Sequence, residues 1–178
     1  MNYAVPARSI VVSPLARAGP LIATCAIRSA VLCLAPEDLA GCDVSLGGVA
    51  VLTLAMHDIE APMAGKTPPQ PEHVRQLEDF VSRWDATAPL LICCRAGLSR
   101  SPAAAFVAAC ILNPHTDEAV IAQHLRTVSP RAWPNRLLVS LADRHLGRNG
   151  RMVRALDGMG VGDVSAQNEV FVLPSSWA

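Results

Sequence analysis

Cys94 and Arg100 stand six positions apart in the stretch Leu90-Leu91-Ile92-Cys93-Cys94-Arg95-Ala96-Gly97-Leu98-Ser99-Arg100-Ser101-Pro102. A thiol nucleophile with a guanidinium at this spacing is what attack on a phosphate ester requires. The sulfur attacks phosphorus, and the guanidinium holds two phosphate oxygens in a bidentate fork. The spacing alone is a weak signal, and its context strengthens it. An apolar run ends at the cysteine pair, a Gly-containing loop follows, and Ser101-Pro102 opens a long Ala-rich segment. This order reads as strand, anion-binding loop, helix start. A loop so placed turns successive backbone N–H groups inward at the positive end of a helix dipole.

Within that loop Arg95, Ala96, Gly97, Leu98 and Ser99 are the candidate substrate-binding wall. Gly97 permits a backbone conformation or a close approach that a side chain would block. The local field favours the thiolate of Cys94 as nucleophile. Ser101 can donate a hydrogen bond to that sulfur, steadying it as nucleophile and later as leaving group. The competing reading makes Cys93 and Cys94 buried strand-end thiols and Arg100 a surface charge. A Gly-containing loop between a strand and a buried helix has little structural need for both groups.

The elements around the loop follow from apolar periodicity and punctuation. Ser9–Val12 and Val31–Leu34 read as strands, and Val49–Met56 as a third, buried because it is nearly all apolar. Pro36-Glu37-Asp38 starts a helix that Gly41 stops. The four prolines between Pro62 and Pro71 mark a surface loop. Glu72–Trp84 is amphipathic, with Val74, Leu77, Phe80, Val81 and Trp84 on one face. Leu90–Cys93 is the strand before the loop, and Pro102–Leu112 is apolar on every side, so that helix should be central. Thr116 caps a helix running towards Val128, and Asn135–Leu146 forms another, closed by Gly147. Strands alternating with helices predict an α/β fold: a central, mostly parallel sheet of about four to five strands with helices on both faces. Residues 1–147 are expected to form the catalytic domain. Residues 148–178 read as a Gly-rich tail, loosely ordered or packed on that domain, with one short strand at Val170–Leu173.

Composition narrows the function classes. Of the 178 residues 51% are hydrophobic and 17% charged, which argues for a packed globule and against disorder. A formal net charge of zero supplies no basic footprint for nucleic acid or anionic lipid. Arg28 interrupts the apolar stretch Ala18–Ala35, so no membrane insertion is expected. Arg8, Arg17 and three early prolines argue against a signal peptide. The six cysteines sit mostly in apolar runs and none shows zinc spacing, so neither metal nor cofactor is implied and a cytoplasmic location is expected.

The stretch Cys94-Arg95-Ala96-Gly97-Leu98-Ser99-Arg100-Ser101 resembles the active-site loop of the cysteine-dependent protein tyrosine phosphatase superfamily, most closely its dual-specificity branch. That branch carries Cys-x-Ala-Gly-x-Ser-Arg-Ser. Ser129-Pro130-Arg131-Ala132-Trp133-Pro134-Asn135 lies where the branch has a Pro-Asn turn before its last helix. The resemblance spans roughly Ser9–Leu146. It implies hydrolysis of phosphate monoesters through a phosphocysteine intermediate, without metal. The substrate would be phosphotyrosine, or phosphoserine and phosphothreonine, on a protein, or a small phosphoester. The family places an acid on a loop after a strand upstream of the nucleophile. Asp58, after Met56-His57, fills that place, with Glu60 as runner-up and Asp43 too close to its own turn.

One position departs from the family: Cys93 stands where a histidine usually precedes the nucleophile. The doublet predicts that an oxidised Cys94 is trapped by Cys93, or by Cys110 on the following helix. Two other readings stay open. A non-hydrolysing phosphoprotein-binding module could dispense with Cys94 or Asp58. A phosphoinositide or nucleotide phosphatase would suit Arg95 at the rim, although Leu98 stands where a second basic residue would help. Tyr3 is the only tyrosine, so control by the chain's own tyrosine phosphorylation is not expected.

Overall fold

The computed structural model describes residues 5–40, 42 and 47–177. Tyr3, Asp43 and the helix stop expected at Gly41 lie outside them. Five apolar runs form one sheet: β1 (Ser9–Pro14), β2 (Ser29–Leu34), β3 (Ala50–Ala55), β4 (Leu90–Cys94) and β5 (Phe171–Pro174), in the order β3-β2-β4-β1-β5. All neighbours pair parallel except β5, which runs antiparallel to β1. The carboxyl ends of the four parallel strands therefore lie along one edge, where ligand clefts form in such sheets. Register sets Cys94 beside Pro14 of β1 and Cys33 of β2.

Strand pleating divides the core into two layers. One face presents Ile10, Val12, Val31, Cys33, Leu54, Ile92 and Cys94. It is covered by α3 (Pro71–Arg83), α4 (Arg100–Leu112), α5 (Glu118–Val128), α6 (Arg136–His145) and α7 (Arg151–Met159). The other presents Val11, Leu32, Leu34, Leu91 and Cys93 to α1 (Ala18–Thr24) and to Leu39 of α2 (Pro36–Ala40). The central helix is α4, buried from Arg100 to Cys110. Its alanines let it lie close to the sheet, which fixes where its N-terminus meets Cys94.

Two expectations needed correction. β3 is not a buried strand: Ala50, Val51 and Thr53 are exposed and Leu54 alone is fully enclosed. It is an edge strand, and an apolar run does not reveal its place in the sheet order. The cap of α5 is Asp117 rather than Thr116, its Oδ1 accepting the Ala119 N–H at 2.9 Å.

Beyond Gly147, Gly150 and Gly160 cap the two ends of α7, and the chain between them is docked. α7 buries Met152, Ala155, Leu156 and Met159. Its first turn is capped by the buried Asp143 of α6, which accepts the N–H groups of Gly150 and Met152 at 2.6 and 2.8 Å. Buried Arg148 donates to the carbonyls of Pro114 and Cys110 and pairs with Glu118 at 3.3 Å. Glu118, 2% exposed, also takes Arg151 at 3.1 Å. The short strand expected at Val170–Leu173 is β5, one residue later. Among the described residues no helix is long and apolar enough to cross a membrane.

Removing one partner of a buried ion pair leaves the other charge uncompensated. Glu118→Ala, which strands Arg148, should therefore cost about 3 kcal/mol in urea unfolding. A loss within the range of ordinary surface substitutions, about 0.5 kcal/mol, would contradict the buried pairing.

Candidate active site

Cys94 ends β4 at the floor of the loop, 2% exposed. Ser101, in the first turn of α4, donates its hydroxyl to Cys94 Sγ at 3.1 Å. Between them the loop makes a left-handed step at Gly97, with φ +71°. A Cβ there would also lie 3.0 Å from Pro14 N and 3.3 Å from Asn168 Cβ, so both the conformation and the space require glycine.

Four successive loop carbonyls are tied from outside. Ala96 O accepts from Asn168 N at 3.0 Å, and Gly97 O from Asn168 Nδ2 at 2.9 Å. Leu98 O accepts from Trp133 N at 2.7 Å, and Ser99 O from Asn135 N at 3.3 Å. In a trans peptide plane the N–H points opposite to the C=O. The N–H groups of Gly97, Leu98, Ser99 and Arg100 are thereby turned away from these tethers. A row of amides at a helix N-terminus, left free on the side opposite its carbonyls, can receive an oxyanion.

Arg100 is 6% exposed. Its Nη1 donates to Met56 O at 2.9 Å, tying the end of the loop to the chain just before His57-Asp58. Its Nε is buried without a hydrogen-bond partner among the described residues, and Asp58 Oδ2 lies 4.0 Å away. A buried guanidinium with an unused donor is a costly arrangement unless an anion completes it.

Asp58 is brought to the loop. Its Oδ1 accepts from Ser99 Oγ at 2.6 Å and from Asn135 Nδ2 at 2.9 Å. Asn135 does this while its own Oδ1 caps α6 through the Leu138 N–H. Glu60 is turned aside, accepting the Arg136 N–H at 2.6 Å. A cleft of about 350 Å³ lies over these groups, lined by Asp58, Ile59, Leu98, Trp133, Asn135 and Val164. Arg95 is paired with Asp38 at 2.5 Å. No group of three His, Cys, Asp or Glu side chains able to hold a metal occurs among the described residues.

His57 anchors the loop that carries Asp58. Its Nδ1 accepts the Thr67 N–H at 2.9 Å, so the neutral ring carries its proton on Nε2, which faces Glu37 at 3.1 Å. Lys66 reaches the same carboxylate at 3.2 Å. The Glu37 carboxyl is lowered from 4.5 to about 2, chiefly by its own backbone N–H and then by Lys66. A lowered folded value means the clamp is complete above the ordinary carboxylate range and is lost only as pH falls through about 2. The anchor of the acid loop thus stays charged in any mildly acidic reaction.

The pleat separates the cysteine doublet. Cys93 faces the α1 layer with Leu91, whereas Cys94 faces α4. Burial pushes the Cys93 thiol up. Cys110 lies ten positions along α4 from Arg100, about 15 Å at 1.5 Å per residue, and burial raises its thiol to about 12. By the face of the one and the distance of the other, neither is placed for the trapping expected from the sequence. The thiol that shares the face of Cys94, in register on the next strand, is Cys33, itself raised by burial and by Cys94. A peroxide-induced disulfide at Cys94 is therefore expected to join Cys33 in peptide mapping. A Cys93–Cys94 linkage would contradict this placement.

Asn135 and Asn168 are the residues of this site that the sequence assigned no role. The first had a usable signal, an Asn before a helix in the Pro-Asn turn. The second had none. No family model matches the chain, and no curated protein does. Its likeness is to solved structures. Human DUSP28 superposes with a TM-score of 0.60 at 18% identity, over 82% of this chain and 91% of that one. A mouse putative dual specificity phosphatase, solved with zinc tungstate, gives 0.56 at 18% identity, over 88% and 95%. The chain therefore has the α/β fold of dual specificity phosphatases, with its Cys94–Arg100 loop at the carboxyl end of the parallel strands.

Proposed function

We propose that this protein is a cysteine-dependent phosphatase that hydrolyses phosphate monoesters, with phosphotyrosine the best-fitting substrate and phosphoserine or phosphothreonine admitted. The observation that carries the reading is Arg100: a buried guanidinium with an unpartnered Nε beside Asp58 and the loop amides, over a floor formed by Cys94. The Cys94 thiolate attacks phosphorus and the P–O bond to the leaving group breaks. The loop amides and Arg100 receive the charge on the remaining phosphoryl oxygens. Asp58 gives its proton to the departing oxygen. Water then attacks the phosphocysteine, the Asp58 carboxylate takes its proton, and the S–P bond breaks. The Ser101 hydroxyl, 3.1 Å from Sγ, stabilises the thiolate that leaves.

The cleft favours an aryl ester. Ile59, Leu98, Trp133 and Val164 offer apolar walls beside the phosphate position, and Trp133 is 48% exposed. A polyanionic phosphoinositide or nucleotide would need free cations at the rim, where Arg95 is engaged by Asp38 and Glu60 adds negative charge. A module that only binds phosphoproteins would have no use for Asp58 beside Arg100.

Hydrolysis of p-nitrophenyl phosphate should proceed in EDTA and vanish in Cys94→Ser. Asp58→Asn should slow phenyl phosphate by about 100-fold or more. An active Cys94→Ser variant, or a Glu60→Gln variant that takes over the Asp58→Asn effect, would overturn the assignment.

A further inference from the structure

Asn168 lies between α7 and β5, in the segment beyond the resemblance, and is 7% exposed. Its backbone N–H holds Ala96 O and its Nδ2 holds Gly97 O. The amide orientation is fixed by its neighbours: Nδ2 faces the Gly97 carbonyl, while Oδ1 accepts the Glu169 N–H at 3.1 Å. Ser129 Oγ, 2.8 Å from Nδ2, holds the side chain from the other side. One residue thus orients two of the four tethered peptide planes of the loop.

The route that brings Asn168 there is itself built. Arg126 donates to Gly160 O at 2.8 Å and to Pro130 O at 2.7 Å, joining the end of α7 to the turn before α6. A Cβ on Gly162 would lie 2.4 Å from Ala132 O, so the segment crosses that turn backbone against backbone. β5 then fixes the far end by pairing with β1.

We propose that Asn168 is a positioning residue of the oxyanion cradle, making the C-terminal segment part of the phosphate-binding machinery. The proposal rests on the phosphatase reading above. Without the Nδ2 donor, the 97–98 peptide is free to rotate, and the Leu98 N–H no longer faces the anion at no cost. Oxyanion affinity should fall with the donor, whereas a residue that served folding alone would leave the affinity of folded molecules unchanged.

The test uses the full chain and titrates inorganic phosphate and sodium tungstate by calorimetry into wild type, Asn168→Asp, Asn168→Ala and the control Gln167→Ala, whose side chain is exposed. Circular dichroism sets the folded fraction. Wild type and Gln167→Ala should bind alike, and both Asn168 variants should bind about tenfold more weakly, the effect of one lost hydrogen bond to the loop. KM for p-nitrophenyl phosphate should rise with the same ratio. Folded Asn168 variants with affinities within twofold of wild type would overturn the proposal. If neither variant folds, wild-type amide NMR decides: on phosphate addition, Gly97 and Leu98 N–H and the Asn168 side-chain amide should shift on one isotherm. A silent Asn168 amide would overturn the proposal. Wild type that binds neither anion would instead overturn the phosphatase reading itself.

Discussion

Peptide planarity couples the two sides of the Cys94–Arg100 loop, so an amide can face an anion only if the carbonyl behind it is satisfied elsewhere. The donors that satisfy these carbonyls come from two distant stretches: Trp133 and Asn135 in the turn before α6, and Asn168 after α7. Pro14 of β1 closes the remaining space behind Gly97. The helical layer, the last turn and the C-terminal strand thus converge on the back of one short loop. Its concave side is left to Cys94, Arg100 and Asp58.

The same logic binds the acid to the cradle. Asp58 belongs to a loop after an edge strand, where little packing holds it. Three contacts substitute for packing: Ser99 and Asn135 take its carboxylate, Arg100 takes the Met56 carbonyl, and His57 is locked between Thr67 and Glu37. Asn135 is the hinge of this arrangement. It caps α6 with its oxygen, holds Asp58 with its nitrogen and tethers Ser99 with its backbone. The Cys94–Arg100 loop, Asp58 and the start of α6 therefore share one residue.

The strand–loop–helix unit at Cys94 was legible because its parts are contiguous, and local pattern sufficed to order them. The amphipathic faces of α3 and α6 were legible for the same reason. Sheet order is not written in local pattern, so the apolar run of β3 passed for a central strand. Cys93 and Cys94 looked like partners because adjacency in sequence hides the alternation of a pleat. The glycines after Gly147 suggested loose chain, whereas Gly150 and Gly160 bound α7, whose docking depends on Asp143, Glu118 and Arg148. Asn168 was invisible because its partner, Gly97, lies 71 positions upstream, and an isolated asparagine among glycines reads as a turn residue.

In the proposed reaction an oxyanion held by these amides and Arg100 is attacked by the sulfur of Cys94. Rapid alkaline quench of wild type during turnover of a ³²P-labelled phosphotyrosine peptide, followed by peptide mapping, tests it directly. Label should accumulate within the first turnover on the peptide containing Cys94, stable to alkali, released in mild acid as a thiol phosphate is, and absent from Cys94→Ser. Turnover with no phosphoenzyme on that peptide, or label on another side chain, would contradict the account.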